Sequence, residues 1–210
     1  MRSYGQYCAL ARALDVVGDR WTLLIVRELA LRGPSRYTDL RHGLPGIATN
    51  MLADRLREME EAGIVQREDA PPPVATALFS LTERGEELMP ALYALGRWGA
   101  PLMGERGDDD EFRSHWLKYP LEHLFADAEP GKAPVTVQLR TGDQPMVVET
   151  AGGAIRANPG TAEHPDAVVT GEPDAVIGLL RGVIDLRAAK RAGVRVEGDT
   201  EALARVRPRS

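Results

Sequence analysis

A single cysteine, Cys8, stands in a chain of 210 residues, so no disulfide can form within it. No stretch approaches the roughly 20 continuous apolar residues that a bilayer-spanning helix needs. The opening MRSYGQYCAL has neither the apolar core of a signal peptide nor a membrane anchor, and the expectation is a soluble, cytoplasmic protein without membrane insertion. Catalytic and metal-binding patterns are missing as well. His42, His115, His123 and His164 are scattered, with no HxxxH or CxxC spacing, no glycine-rich phosphate loop and no G-x-S-x-G elbow. No enzyme, cofactor or metal site is expected.

Hydrophobic residues make up 43% and charged residues 27%, values at which a chain buries a core without disulfides or metal. The net charge of −5 argues against a nucleic-acid partner until it is divided. Residues 1–106 hold thirteen arginines against fourteen acids, whereas residues 107–210 hold thirteen basic residues against seventeen acids. A local basic face suffices for DNA, because counterion release depends on the phosphates contacted and not on whole-chain charge. The polar run Gly104-Glu-Arg-Gly-Asp-Asp-Asp-Glu111 has the composition of a solvated linker, and it divides the chain into domains at 1–106 and 107–210.

In the first half, helical spacing predicts helices over Cys8–Val17, Arg20–Leu31, Arg36–Arg41 with Ser35 as N-cap, and Ala48–Ala62. The last of these places Leu52, Leu56 and Met59 on one face and Asn50, Ala53, Asp54 and Arg57 on the other. The period then changes to two. Strands are expected over Ile64–Arg67 and Ala77–Leu81, with a proline-stiffened tip between them, followed by a long helix capped by Thr82. Four helices, a two-stranded wing and a long helix give the order of a winged helix-turn-helix, and the fourth helix presents a polar face of about the right width to enter a major groove.

Cys8-Ala-Leu-Ala-Arg-Ala-Leu-Asp-Val-Val-Gly18, Arg20-Trp-Thr-Leu-Leu-Ile-Val-Arg-Glu-Leu29, Leu44-Pro-Gly-Ile47, Asn50-Met-Leu with Arg55-Leu-Arg-Glu-Met-Glu-Glu-Ala-Gly-Ile64, and Leu81-Thr-Glu-Arg-Gly85 resemble the HxlR-type branch of the MarR-like regulators over roughly residues 7–103. The resemblance implies a homodimer built on terminal helices that binds a pseudo-palindromic double-stranded operator. The apolar stripe Leu92, Leu95, Trp98 and Leu102 gives the dimer its own support, since it is too apolar to stay wet. Thr49 and Asn50 are the expected base readers, and Arg57 reaches guanine or phosphate unless it pairs with Glu61. Arg36, Arg41 and Arg55 are expected to grip phosphates, with Arg67 the basic residue nearest a wing whose tip, Val74-Ala-Thr76, carries no Arg or Lys. Cys8 occupies a place where some members of the family sense oxidants; its other reading is a small packing residue.

The second half opens with an aromatic helical stretch, Phe112 to Phe125, bent or interrupted at Pro120, and continues as a meander of strands over 135–139, 146–150, 154–157 and 167–170. Helices from Pro173 and Asp185, a strand at Val194–Val196 and a helix capped by Asp199 complete it. Val169-Thr-Gly-Glu-Pro-Asp-Ala, Leu180-Arg-Gly182, Ala192-Gly193 and Val196-Glu-Gly-Asp199 resemble the sterol carrier protein 2-like domains. That resemblance implies a cavity for a lipid or other apolar small molecule, with Phe112, Trp116, Leu124 and Phe125 as its lining, although core packing is an alternative for each. The fold class expected for the whole chain is α+β, a winged helix-turn-helix followed by a sterol-carrier-like domain with an antiparallel sheet. Two rival functions remain at this point. One is a repressor switched by the Cys8 thiol, and the other is a lipid carrier or enzyme accessory whose winged helix does not bind DNA.

Overall fold

The computed structural model describes residues 3–71, 76–104, 106–107 and 109–209. It separates into two compact units, Met1–Gly104 and Glu105–Ser210. The first unit runs α1 (Ala9–Val17), α2 (Thr22–Arg32), β1 (Ser35–Arg36), α3 (Tyr37–Gly43), α4 (Thr49–Glu61), β2 (Val65–Asp69), β3 (Ala77–Leu81), α5 (Glu83–Glu86) and α6 (Met89–Gly99). Its core is closed by Ile25, Val26 and Leu29 of α2, Leu40 of α3, and Leu52, Leu56 and Met59 of α4, all 2% exposed or less. These are residues that recur every third or fourth position, so each helix turns one stripe inward. The strand order β1-β3-β2 makes a three-stranded antiparallel sheet.

Two local expectations change. Ser35 is not a helix cap: its backbone pairs with Phe79 in β1, its hydroxyl donates to the Gly33 carbonyl at 2.9 Å, and Arg36 becomes the N-cap of α3. The long helix after Thr82 is two helices. Thr82 does cap, accepting the Gly85 amide at 3.1 Å, but α5 lasts only four residues. Pro90 has no amide to donate to the carbonyl of Glu86, so the helix restarts as α6 with Pro90 in its first turn. Pro101 likewise cannot donate to Arg97, and the chain leaves α6 through a 3₁₀ turn, Ala100–Leu102.

The second unit begins with a 3₁₀ turn, Ser114–Leu117, and α7 (Lys118–Leu124). Pro120 does not interrupt this helix; it sits in the first turn, where an amide has no intrahelical partner to lose. Next come β4 (Phe125–Asp127), β5 (Val135–Arg140), β6 (Met146–Ala151), β7 (Ala154–Pro159), β8 (Ala167–Thr170), α8 (Pro173–Leu180), α9 (Leu186–Arg191), β9 (Arg195–Gly198), α10 (Thr200–Arg205) and β10 (Val206–Pro208). Asp185 and Asp199 cap α9 and α10, accepting the amides of Ala188 and Glu201. The main sheet has the order β7-β6-β5-β8-β9, and β4 pairs separately with β10. Ala151 faces Ala154 across the two-residue turn Gly152-Gly153, both at positive φ as a tight hairpin turn demands.

The expected meander is broken at β8, which lies parallel to β5 instead of hairpinning from β7. Residues 160–166 cross the sheet without a helix, and a buried side chain makes that possible. Gln138 is fully buried; its Nε2 donates to the carbonyls of Met146 at 2.9 Å and Gly160 at 3.1 Å, and its Oε1 accepts the Ala162 amide at 2.7 Å. The backbone groups of the crossing strand are thereby satisfied in the absence of regular pairing.

A second buried polar device ties the end of the unit to its beginning. Arg205 of α10 grips Asp127 of β4 through two parallel bonds, Nε to Oδ1 at 2.9 Å and Nη2 to Oδ2 at 2.7 Å, and donates further to the carbonyls of Ala133 and Glu129. The Arg205 guanidinium holds the Asp127 carboxyl below the ordinary carboxylate value of 3.8. A carboxylate depressed in the folded state contributes stability above its unfolded pKa and loses it as pH falls through the folded one. Urea unfolding of the whole protein from about pH 5 down to about pH 2 is therefore expected to show falling stability. That slope should be shallower in Asp127→Asn, and an identical slope would show that the pair does not titrate with folding.

Candidate nucleic-acid interface

Helix α4 is built to show one face. Leu52, Leu56 and Met59 are buried, while Thr49, Asn50, Ala53 and Arg57, spaced at three or four residues, are exposed. The turn before it is pinned by Leu44 and Ile47 in the core and by Gly46 at φ 81, a backbone state that suits glycine. Tyr37, at the head of α3, donates its hydroxyl to the Thr49 carbonyl at 2.5 Å, fixing the start of α4 relative to α3. Among side chains, Asn50 Oδ1 accepts the Met51 amide at 3.0 Å. Its NH₂ donates to no described residue, and an amide left with both donors unused can address a base edge.

The arginines named from the sequence divide. Arg36 and Arg41 are exposed at the two ends of α3 and pair with no described carboxylate. Arg57 meets Asp54, three residues back, at 3.1 Å and not Glu61; with both side chains half exposed or more, such a pair is easily exchanged for a phosphate. Arg67 is exposed and 3.8 Å from Asp69. Arg55 is the correction. It is 17% exposed and turned inward, paired with Asp19 in the α1–α2 turn and with Glu58 at 2.7 Å, which takes it out of the phosphate contacts. Its task is to brace α4 against the first helices. The wing tip falls on residues 72–75, outside the described residues.

Glu28 supports this arrangement from below and was not singled out in the sequence. It is fully buried on α2, pairs with Arg27 at 2.8 Å and Arg32 at 3.2 Å, and abuts the end of α3 so closely that a Cβ on Gly43 would come within 1.9 Å of its Oε2. A charged residue on the inward stripe between Ile25 and Leu29 was the available signal.

Other named residues fall into three groups. Leu92 is half-buried, but Leu95 is 50% exposed, and Trp98 and Leu102 are each 73% exposed. They stand open on α6 and the 3₁₀ turn after it, and Leu10 and Leu14 of α1 are open as well. Cys8 is an exposed free thiol at the N-cap of α1. Of the proposed ligand-lining set, Phe125 is buried and Phe112 and Leu124 pack against the core of the second unit, while Trp116 is half-buried and meets Phe112 edge-on at 6.4 Å. For Phe112, Leu124 and Phe125 these are core contacts, and Phe112 also lines an open polar cleft of the unit. The apolar groove of the unit lies elsewhere, about 480 Å³ between α8, α9, α10 and β10, lined by Leu179, Ile184, Leu186, Leu203 and Val206. No metal-binding group occurs among the described residues, and none of their helices is long and apolar enough to cross a membrane.

Residues 16–106 match the family model of the HxlR-like helix-turn-helix. The uncharacterized HTH-type transcriptional regulator sll1512 of Synechocystis sp. is 35% identical over 96 residues, 46% of this chain and 70% of the relative. The HTH-type transcriptional regulator YodB of Bacillus subtilis is 34% identical over 96 residues, 46% of this chain and 84% of the relative. The solved structure of the redox regulator HypR in its oxidized form is similar at 33% identity, covering 45% of this chain and 96% of that one with a TM-score of 0.42. The chain belongs to the HxlR-like helix-turn-helix family.

Removing Glu28 takes the buried carboxylate away from Arg27 and Arg32 and leaves a cavity beside Gly43. Glu28→Ala is expected to destabilise the first unit by about 3–5 kcal/mol, the usual cost of breaking a buried ion pair from one side. Denaturant unfolding followed by tryptophan fluorescence reads this directly. A loss under about 1 kcal/mol, typical of exposed pairs, would show the cluster to be dispensable.

Proposed function

We propose that the protein is a homodimeric transcriptional regulator that reads a pseudo-palindromic operator by laying α4 in the major groove. The observation that carries this reading is the open polar face of α4, with Thr49, Asn50, Ala53 and Arg57 set opposite a closed apolar face. Arg36 and Arg41 flank it as free cations. Thr49 and Asn50 lie at the N-terminal end of the helix, where a recognition helix meets base edges, and the amide of Asn50 suits adenine. Arg36, Arg41 and Arg57 contact phosphates and set the register. Arg67 serves the same purpose at the wing.

The exposed stripe of Leu95, Trp98 and Leu102, together with the exposed Leu10 and Leu14 of α1, supports the dimer. Large apolar side chains left open on two terminal helices mark a surface meant for a partner, and two-fold pairing sets two recognition helices roughly 34 Å apart, one DNA turn. The second unit is the effector module. Its apolar groove between α8 and α10 supports an apolar small molecule such as a lipid, in keeping with the resemblance to sterol carrier domains. A second reading of regulation is favoured by Cys8, whose exposed thiol at the head of α1 is open to oxidants.

A gel-retardation assay at low salt with the promoter beside its own gene tests the reading. Specific retardation is expected; its absence would favour the lipid-carrier alternative. Asn50→Ala should cost about 1–3 kcal/mol and relax the preference at one base position, whereas Arg41→Ala should weaken all sequences alike and reduce the salt slope by about 1. Trp98→Glu combined with Leu102→Glu should give a monomer in analytical ultracentrifugation and abolish operator binding, and a variant that remains dimeric places the interface elsewhere. Cys8→Ser should remove any release from DNA caused by diamide, and an unchanged response removes the thiol from the switch.

A further inference from the structure

The second unit has another concavity, distinct from its apolar groove and polar in character. It is an open cleft of about 530 Å³ where the C-terminal ends of β5 and β8 meet the start of β9 and the head of α8. We propose that this cleft binds the phosphoryl group of a small organic phosphate. The proposal is independent of the DNA-binding reading and of the apolar groove.

Register places the cations. Arg140 on β5 is the Cα partner of Thr170 on β8, and Thr170 is the partner of Arg195 on β9. Directly opposed residues share a face of a sheet, so the three side chains stand side by side, with the two arginines about 10 Å apart across two strand spacings. Both arginines are exposed, line the cleft and pair with no described carboxylate. An oxyanion between them is met by two guanidinium groups from opposite sides.

The head of α8 borders the same space. This helix has eight residues, its N-cap Glu172 makes no side-chain capping bond, and Pro173 occupies the first position. The first-turn amides therefore lack a side-chain acceptor and keep the partial positive charge of a helix start. Gly171 and Gly142 line the same space without side chains of their own, since an added Cβ would press within 3.0 Å of Val194 at the first and fall 2.7 Å from Phe112 at the second.

An independent sign comes from Thr141, which lines the cleft and is 4% exposed. Its carbonyl accepts the Ser114 hydroxyl at 2.5 Å, but its own Oγ1 is buried without any partner. A buried hydroxyl left unpaired costs free energy, and native structures rarely keep one without a use. A ligand oxygen would complete it.

Carboxylates in the cleft do not cancel the arginines. Glu111 is already paired with Arg113 at 2.8 Å, while Asp110, which accepts the Gly107 amide at 2.8 Å, keeps its charge. That leaves Asp110 and Glu172 against Arg140, Arg195 and Arg106, all of which line the cleft. A tetrahedral, doubly charged group met by cations, amides and a hydroxyl from several directions fits this donor set better than a planar carboxylate does. The volume leaves room for an organic remainder beyond the phosphoryl group.

The test uses the full chain and inorganic phosphate, with thermal shift and isothermal calorimetry at constant ionic strength. A saturable rise in Tm is expected with phosphate and not with equimolar acetate or chloride. Arg140→Ala and Arg195→Ala should each weaken phosphate binding tenfold or more, and Arg84→Ala, at an exposed position on α5, should leave it unchanged. Thr141→Val is the discriminating variant: without phosphate its Tm should equal or exceed that of the parent protein, because an unpaired buried hydroxyl has gone, while phosphate affinity falls. No saturable shift, an equal response to acetate, a response untouched by the cleft substitutions, or a Thr141→Val protein with a Tm several degrees lower would each overturn the proposal. Operator retardation is measured separately, so failure here leaves the DNA-binding reading standing, and the reverse holds too.

Discussion

The geometry of the DNA-reading half depends on one buried charge. Glu28 is fully enclosed, and a carboxylate in that position is tolerated only while cations and hydrogen bonds replace the water it has lost. Arg27 and Arg32, from the same helix, supply that compensation with side chains 27% and 23% exposed, so the cations keep part of their own hydration. Arg27 also lies 3.5 Å from the Gly43 carbonyl at the end of α3, and Gly43 has no side chain because Glu28 fills the place. Side chain and missing side chain are thus two halves of one fit between α2 and α3. Since Tyr37 fastens the head of α3 to the start of α4, the orientation of the recognition helix is inherited from a contact that no nucleic acid touches.

Arg55 adds a second brace from another direction. Its pairing with Asp19 joins the middle of α4 to the turn between α1 and α2, and Glu58 completes the cluster one turn along the helix. A side chain held this way has little freedom to reach for DNA, and its buried Nε lacks a partner, so the brace is not a fully satisfied network. Holding a recognition helix rigidly favours specificity over raw affinity. Base contacts discriminate only when the donor geometry is fixed within fractions of an ångström, whereas phosphate contacts tolerate slack.

Much of the winged helix was legible because its helices are amphipathic and its punctuation is local. The face of α4, the strand Ala77–Leu81 and the caps Thr82, Asp185 and Asp199 all follow from short-range patterns. The departures share a different physical cause. Ser35 has a carbonyl two residues back and a strand partner far along the chain, and both compete successfully with the cap; β1 is too short to show a period. Arg55 and Arg57 look alike in sequence, two residues apart on one helix, yet a rotation of about 200° puts one against Asp19 and the other in water. Likewise the parallel pairing of β8 with β5 depends on Gln138, a residue whose polar character in an otherwise apolar strand gives no hint of the crossing chain it satisfies. The aromatic stretch Phe112–Phe125 reads equally as cavity lining or core, and only packing decides for core.

The free charge that remains sets how strongly the first half can depend on salt. Of the arginines expected to meet DNA, Arg55 is withdrawn by its carboxylates, and Arg57 and Arg67 each release an acid before they bind phosphate. On the proposed reading, Arg36 and Arg41 would meet phosphate without breaking a pair with any described carboxylate. Each phosphate neutralised contributes about 0.9 to the salt slope on B-DNA, and exchange of one ion pair for another adds little net counterion release. A protomer with two to four effective contacts therefore has a modest electrostatic footprint, and a single copy would bind weakly at physiological salt. On the proposed reading a two-fold partner would double that footprint, so the open apolar stripe on α6 and the few basic residues of α3 and α4 would serve one end: recognition by a pair of weakly charged readers and not by one strongly charged one.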